Sequence, residues 1–158
     1  MGVTSEGFES RTYSAQDGLH LFFREYGDAL SGPTPIVCLS GLTRNSADFH
    51  DLALRLSQHR RVIALDYRGC GQSAYDPRPQ NYRADVYASD VLHLLMATNI
   101  WRAVVVGTSL GGLLAMSLAA QRPAVLAGVV LNDIGPDIDG DGLDNVRQYL
   151  AADMRPRT

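Results

Sequence analysis

With 158 residues, 46% of them hydrophobic and 20% charged, the chain has the size and balance of one soluble globular domain able to bury a core. A net charge of −3 and a pI near 5.7 leave no basic footprint for nucleic acid or for an anionic membrane surface. No apolar run reaches membrane-spanning length, and Met1 to Ser10 is too polar for a signal peptide. Cys38 and Cys70 form no metal or redox spacing, so the composition predicts a reduced, cytoplasmic setting with no cofactor.

In chain order, residues 11–14 and 19–26 flank Asp17-Gly18 and read as a hairpin. Ser31-Gly32-Pro33-Thr34-Pro35 breaks the chain before an apolar strand at 36–39, which runs into Ser40-Gly41-Leu42-Thr43. Asn45 or Ser46 is placed to cap a helix whose apolar positions are Phe49, Leu52, Ala53 and Leu56. Residues 61–65 form a further strand and lead into Asp66-Tyr67-Arg68-Gly69-Cys70-Gly71-Gln72-Ser73. A proline-rich loop at 76–79 precedes a long helix from about 82 to 98. Ala103-Val104-Val105-Val106 has no polar residue and reads as a strand buried on both faces. Small apolar residues then continue at helical spacing to Ala120. Arg122-Pro123 is a stop, and 126–131 is one more buried strand, ending in Asn132-Asp133. Strands alternating with helices predict an α/β architecture: a mostly parallel sheet with helices on both faces, in one domain spanning residues 1–158.

Between the strand at 103 and its helix lies Gly107-Thr108-Ser109-Leu110-Gly111, the Gly-x-Ser-x-Gly pattern of a nucleophile elbow. A strand that becomes a helix within a few residues forces the central residue into strained backbone geometry. Gly107 and Gly111 meet the demand for almost no side chain two residues to either side. Ser109 then stands at a helix N-terminus, where unpaired amides and the macrodipole favour developing negative charge. The glycines at 107, 111 and 112, followed by Asp133, superficially suit a dinucleotide site. That reading fails because Ser109 replaces the middle glycine, where bare backbone must approach a pyrophosphate.

Three motifs in sequence, Ser40-Gly41-Leu42 after one strand, Asp66-x-Arg68-Gly69-x-Gly71-x-Ser73 after the next and the elbow after the third, make the chain resemble the α/β-hydrolase superfamily in its serine-nucleophile, small-molecule branch. The likeness runs from about residue 11 to residue 133. It implies that Ser109 attacks an acyl carbon of an ester, thioester or amide in a small-molecule substrate. It further implies that the backbone N–H groups of Leu42 and Leu110 form the oxyanion hole. Many members of the family carry histidine where this chain has Ser40, which leaves the backbone donor in place. A serine rather than an aspartate at the elbow argues against dehalogenase and epoxide-hydrolase chemistry. Asp133 ends a strand where some members carry the acid that orients the catalytic histidine. The residues Asp66, Arg68, Gly69, Gly71 and Ser73 read instead as a self-hydrogen-bonded loop.

The family's histidine lies well beyond the elbow, whereas His20, His50, His59 and His93 all precede Ser109. The chain therefore reads as the front portion of a hydrolase, without the later strands and cap, and inactive by itself. Residues 134–158 would be the start of a cap or a truncated tail. The alternative is a catalytically inactive module that keeps the fold. A strand at 126–131 left at the sheet edge predicts either a complementing C-terminal portion or self-association. Asp137-x-Asp139-x-Asp141-Gly142 imitates the front of a calcium loop, but position twelve is Gln148. No metal is expected there.

Overall fold

The structure, a computed structural model, describes residues 6–28 and 32–135. Its frame is a six-stranded sheet in the order β1-β2-β4-β3-β5-β6, with β1 (Glu9–Ser14), β2 (His20–Tyr26), β3 (Ile36–Leu39), β4 (Val62–Leu65), β5 (Ala103–Thr108) and β6 (Leu126–Asn132). β1 and β2 form the expected hairpin, and β2 runs antiparallel to β4. The remaining pairs, β4·β3, β3·β5 and β5·β6, are parallel. All the parallel strands therefore end at one edge of the sheet, where the three motifs follow β3, β4 and β5.

Period-two alternation sorts the side chains onto two faces. Val37, Leu39, Ile63, Leu65 and Val105 point to the face covered by α2 (Ala84–Ala97) and α3 (Leu110–Gln121), where they meet Tyr87, Val91, Leu94, Leu114 and Leu118. Ile36, Cys38, Val62 and Ala64 point to the other face and meet Phe49 and Ala53 of the segment containing α1 (His50–Leu56). The sheet is thus covered on both faces, as the alternation of elements predicts.

Four local expectations are corrected. The helix after Asn45 begins as a 3-10 turn at Ser46–Phe49, and Asn45 rather than Ser46 caps it, accepting from the Ala47 amide at 2.9 Å. Leu52 of α1 faces outward at 41% exposure, at the margin of the stripe of Phe49, Ala53 and Leu56, which packs against the sheet. β5 is not buried on both faces: Ala103, Val105 and Gly107 are buried, while Val104, Val106 and Thr108 are half-covered. β6 departs furthest. It pairs with β5 along one side only and is one of the two edge strands among the described residues, the position expected for it. The expectation that it is buried is what fails, since its Val129 and Val130 are 37% and 50% exposed.

Candidate functional site

The elbow forms where β5 gives way to α3 with a single residue between them. Ser109 is that residue, with φ 50° and ψ −111°, a left-handed conformation that a non-glycine residue adopts only under strain. Glycines make the junction sterically feasible. A Cβ on Gly107 would lie 2.4 Å from the Gly111 carbonyl oxygen, and one on Gly111 would lie 2.0 Å from that of Leu39. The first contact is the strand-to-helix crowding that the sequence implies. The second is not, since it shows α3 pressed directly onto the end of β3.

The backbone around Ser109 is fixed from three directions. Its amide donates to the Asn132 carbonyl at 3.2 Å, and its carbonyl accepts from the Gly112 and Leu113 amides at 2.9 and 3.1 Å. The Gly111 amide donates to the Ser40 carbonyl at 3.1 Å. The amides of Leu42 and Leu110 take no part in these bonds. The Ser109 side chain is half-exposed, and its hydroxyl has no hydrogen-bond partner among the described residues. The position a Gly41 Cβ would occupy is 3.8 Å from the Ser109 Cβ, so the turn after β3 reaches the elbow. Gly41 thus lies beside Ser109 in space although it is far away in sequence.

Asp133 directly follows Asn132, whose carbonyl takes the Ser109 amide and whose side chain donates to the Thr108 hydroxyl at 3.2 Å. It is exposed and has φ 56°, turning the chain as it leaves β6. None of the four histidines is bonded to Ser109. His20 opens β2 and is exposed, and His59 lies in the turn after α1. His50 opens α1 with its Nδ1 3.2 Å from the Tyr26 hydroxyl, and His93 lies on α2 with Nδ1 2.9 Å from the Ser89 carbonyl. Asp137, Asp139 and Asp141 lie outside the described residues. Among those described, no group of acidic, histidine or cysteine side chains could hold a metal, and no helix is long and apolar enough to cross a membrane.

The loop after β4 does what its reading as a self-bonded structure requires. Asp66 accepts from the Ser46 amide at 2.6 Å and from the Gln72 amide at 2.8 Å. Ser73 donates to the Asp66 carbonyl at 2.6 Å and accepts from the Phe22 amide at 2.8 Å. Arg68 is 1% exposed and forms a forked pair with Asp90 of α2 at 2.8 and 2.7 Å, while also reaching Asp76 at 2.7 Å and Asp17 at 3.0 Å. One guanidinium therefore joins the hairpin turn, the loop and α2. Burial pushes the Asp76 carboxyl up, but hydrogen bonds from Asn81 and Arg78 outweigh it and hold the group well below the usual range. The bond from Arg68 does the same for Asp17. Asp90 moves the other way, because burial outweighs its pairing with Arg68.

Sequence reasoning missed the reach of this loop toward the site. Tyr67 is 1% exposed and its hydroxyl donates to the Ser40 carbonyl at 3.0 Å, while the Cys70 thiol points at the Leu42 carbonyl at 3.7 Å. No pattern within residues 66–73 signals contacts to residues 40–42, since they depend on β3 and β4 being neighbours. Burial raises both thiols above their ordinary range, that of Cys38 to about 12, so neither is a nucleophile near neutrality.

Comparison with known proteins gives one consistent answer. The family model described as alpha/beta hydrolase fold matches residues 34–155. A 3-hydroxybutyrate-oligomer hydrolase from Cupriavidus necator is 33% identical over 142 residues, covering 89% of this chain and 48% of that protein. A 2-(acetamidomethylene)succinate hydrolase from Mesorhizobium japonicum is 36% identical over 150 residues, covering 95% of this chain and 51% of that protein. The crystal structure of an alpha/beta hydrolase from Novosphingobium aromaticivorans superposes with a TM-score of 0.82 at 47% identity, covering 90% of this chain and 50% of the other. The chain spans about half the length of these relatives.

Proposed function

The chain belongs to the alpha/beta hydrolase fold family, and on that premise we propose that it carries the nucleophile and the oxyanion-stabilising groups of a serine hydrolase acting on a small-molecule acyl bond. The observation that carries the proposal is Ser109 itself: a left-handed residue at the N-terminus of α3, its hydroxyl without a partner among the described residues, beside the turn that bears Gly41. Such strain is retained where it serves a function, because an unstrained residue there would be more stable.

In this reading the Ser109 Oγ forms a bond to the acyl carbon while its proton passes to a base. The carbonyl oxygen becomes an oxyanion held by the N–H groups of Leu42 and Leu110. Collapse of the tetrahedral intermediate breaks the bond to the leaving oxygen, sulfur or nitrogen, which takes the proton from the base. Water then releases the acid by the same route. Asp133 is the acid of this reading, orienting a histidine supplied from outside the described residues. Two of the relatives are named as hydrolases of a 3-hydroxybutyrate oligomer and of 2-(acetamidomethylene)succinate, which supports an acyl compound as substrate.

The chain by itself is expected to be nearly inactive, because no histidine reaches Ser109 among the described residues and the nucleophile and base act as a unit. A fluorophosphonate probe should label Ser109 slowly, and Ser109→Ala should abolish the labelling. Turnover of nitrophenyl esters should stay near background until the C-terminal half of the Novosphingobium relative is added. Labelling at another residue overturns the nucleophile assignment. Ordinary turnover by the chain alone, lost on substituting one of its four histidines, overturns the account of the base.

A further inference from the structure

We propose that Tyr67 is a positioning residue for the Leu42 amide, which its loop holds in place from beneath; the inference rests on the reading of Leu42 as an oxyanion donor and adds the part that aims it. The segment from Ser40 to the 3-10 turn at Ser46 is a short turn closed by the Arg44 amide, which donates to the Gly41 carbonyl at 3.1 Å. It is fastened by three further grips from residues 66–70. The Tyr67 hydroxyl donates to the Ser40 carbonyl at 3.0 Å, the Cys70 thiol points at the Leu42 carbonyl at 3.7 Å, and the Asp66 carboxylate accepts from the Ser46 amide at 2.6 Å.

The Gly41–Leu42 peptide is planar, so the bond that the Arg44 amide makes to its Gly41 carbonyl sets the opposite direction of its Leu42 N–H. The peptide units on either side of it are anchored through their own carbonyls, and Tyr67 holds the first of them. Ser40 is bound doubly, since its carbonyl also accepts from the Gly111 amide at 3.1 Å. That second bond comes from the elbow helix, so the carbonyl that Tyr67 steadies is the one that ties the turn to Ser109. Tyr67 is itself locked: it is 1% exposed, and its ring centroid lies 5.3 Å from that of Tyr87 on α2. Burial raises its pKa, so its hydroxyl remains a neutral donor across the working range. A donor aimed in advance at the forming oxyanion is worth most when it need not reorganise during the reaction.

Tyr67→Phe in the full 158-residue chain keeps the ring and its packing and removes only the hydroxyl. Tyr13→Phe is the matched control, because Tyr13 is also buried and donates to a different carbonyl, that of Asp90, at 2.9 Å. Both variants should lose similar thermal stability. Only Tyr67→Phe should broaden the ¹⁵N–¹H signals of Gly41, Leu42 and Thr43 through slow exchange, and only it should slow phosphonate labelling of Ser109, by about tenfold. Unchanged signals at 41–43, or equal effects from Tyr13→Phe, would overturn the proposal. If the turn loosens as expected but neither the parent chain nor the variant labels at Ser109, the grip stands and the nucleophile assignment falls. Should Tyr67→Phe not fold, Cys70→Ala releases the other carbonyl, and sharp signals at Leu42 and Thr43 in that variant would likewise overturn it.

Discussion

Two glycine-punctuated loops follow neighbouring parts of the same sheet, and they use their polar groups in opposite ways. In residues 66–73 the glycines make room for the loop's own bonds. A Cβ on Gly71 would lie 2.0 Å from the Asp66 Oδ2, and one on Gly69 would lie 2.7 Å from the Tyr82 ring. The carboxylate and guanidinium there are buried and fully engaged with neighbours. At the elbow the glycines make room for backbone, and the Ser109 hydroxyl between them has no hydrogen-bond partner among the described residues. The first loop uses its chemistry to hold the fold together. The second leaves its chemistry available to something that is not part of the fold.

The contrast can be broken by mutation, and the largest expected effect is on the charge hub. Arg68→Ala leaves the buried Asp90 without its guanidinium, while Asp76 and Asp17 keep only the Arg78 cation. Breaking a buried pair in this way costs about 3–5 kcal/mol. Urea unfolding should show that loss or a chain that no longer folds, and a change under about 1 kcal/mol would mean the hub is dispensable. Next comes Gly111→Ala, whose methyl group would meet the backbone of β3 rather than a flexible side chain. Overpacking of this kind should cost about 3 kcal/mol. Gly18→Ala is the control, because its φ of 82° is strained but nothing lies within 4 Å; about 1 kcal/mol is expected.

Substitution at the elbow should have the opposite sign. Ser109→Gly relieves the left-handed strain and should raise stability by about 1 kcal/mol, after allowing for the greater freedom of glycine in the unfolded chain. A loss of stability in this variant would show that the serine side chain belongs to the fold, and the distinction between the two loops would collapse. The smallest effect near neutrality is that of pH. Asp17 and Asp76 titrate lower in the folded state than in the unfolded one, so their contribution is complete above the ordinary aspartate value of about 3.9 and is lost as pH falls through their depressed folded values. Asp90, raised by burial, opposes them: its contribution is present below the ordinary value and fades as pH rises through its folded value. The share of stability from Asp17 and Asp76 should therefore be complete above about 4 and decline below it, with Asp90 opposing that decline. Asp76→Asn should reduce the acid decline, which a series of urea titrations would measure; an unchanged slope would remove Asp76 from the account.

What could be read from the chain alone was whatever depends on neighbours in sequence. The β-branched run at 103–106, Gly107-x-Ser109-x-Gly111 and the small residues after it specify a strand, a tight junction and a helix locally, and the structure has each of them. The hairpin around Asp17-Gly18 and the strands at 36–39 and 61–65 were legible for the same reason, since side-chain period and turn residues act over a few positions. Contacts between distant segments were not legible. That β3 lies between β4 and β5 decides that Tyr67 reaches Ser40, that Gly111 must clear Leu39, and that Gly41 approaches Ser109. That 126–131 stands at the sheet edge was expected from the chain; that its valines are exposed, although its residues are as apolar as those of β5, was not. Hydrophobicity states that a segment tends to be covered; only the packing of the whole sheet states by what, because burial is a property of neighbours in space.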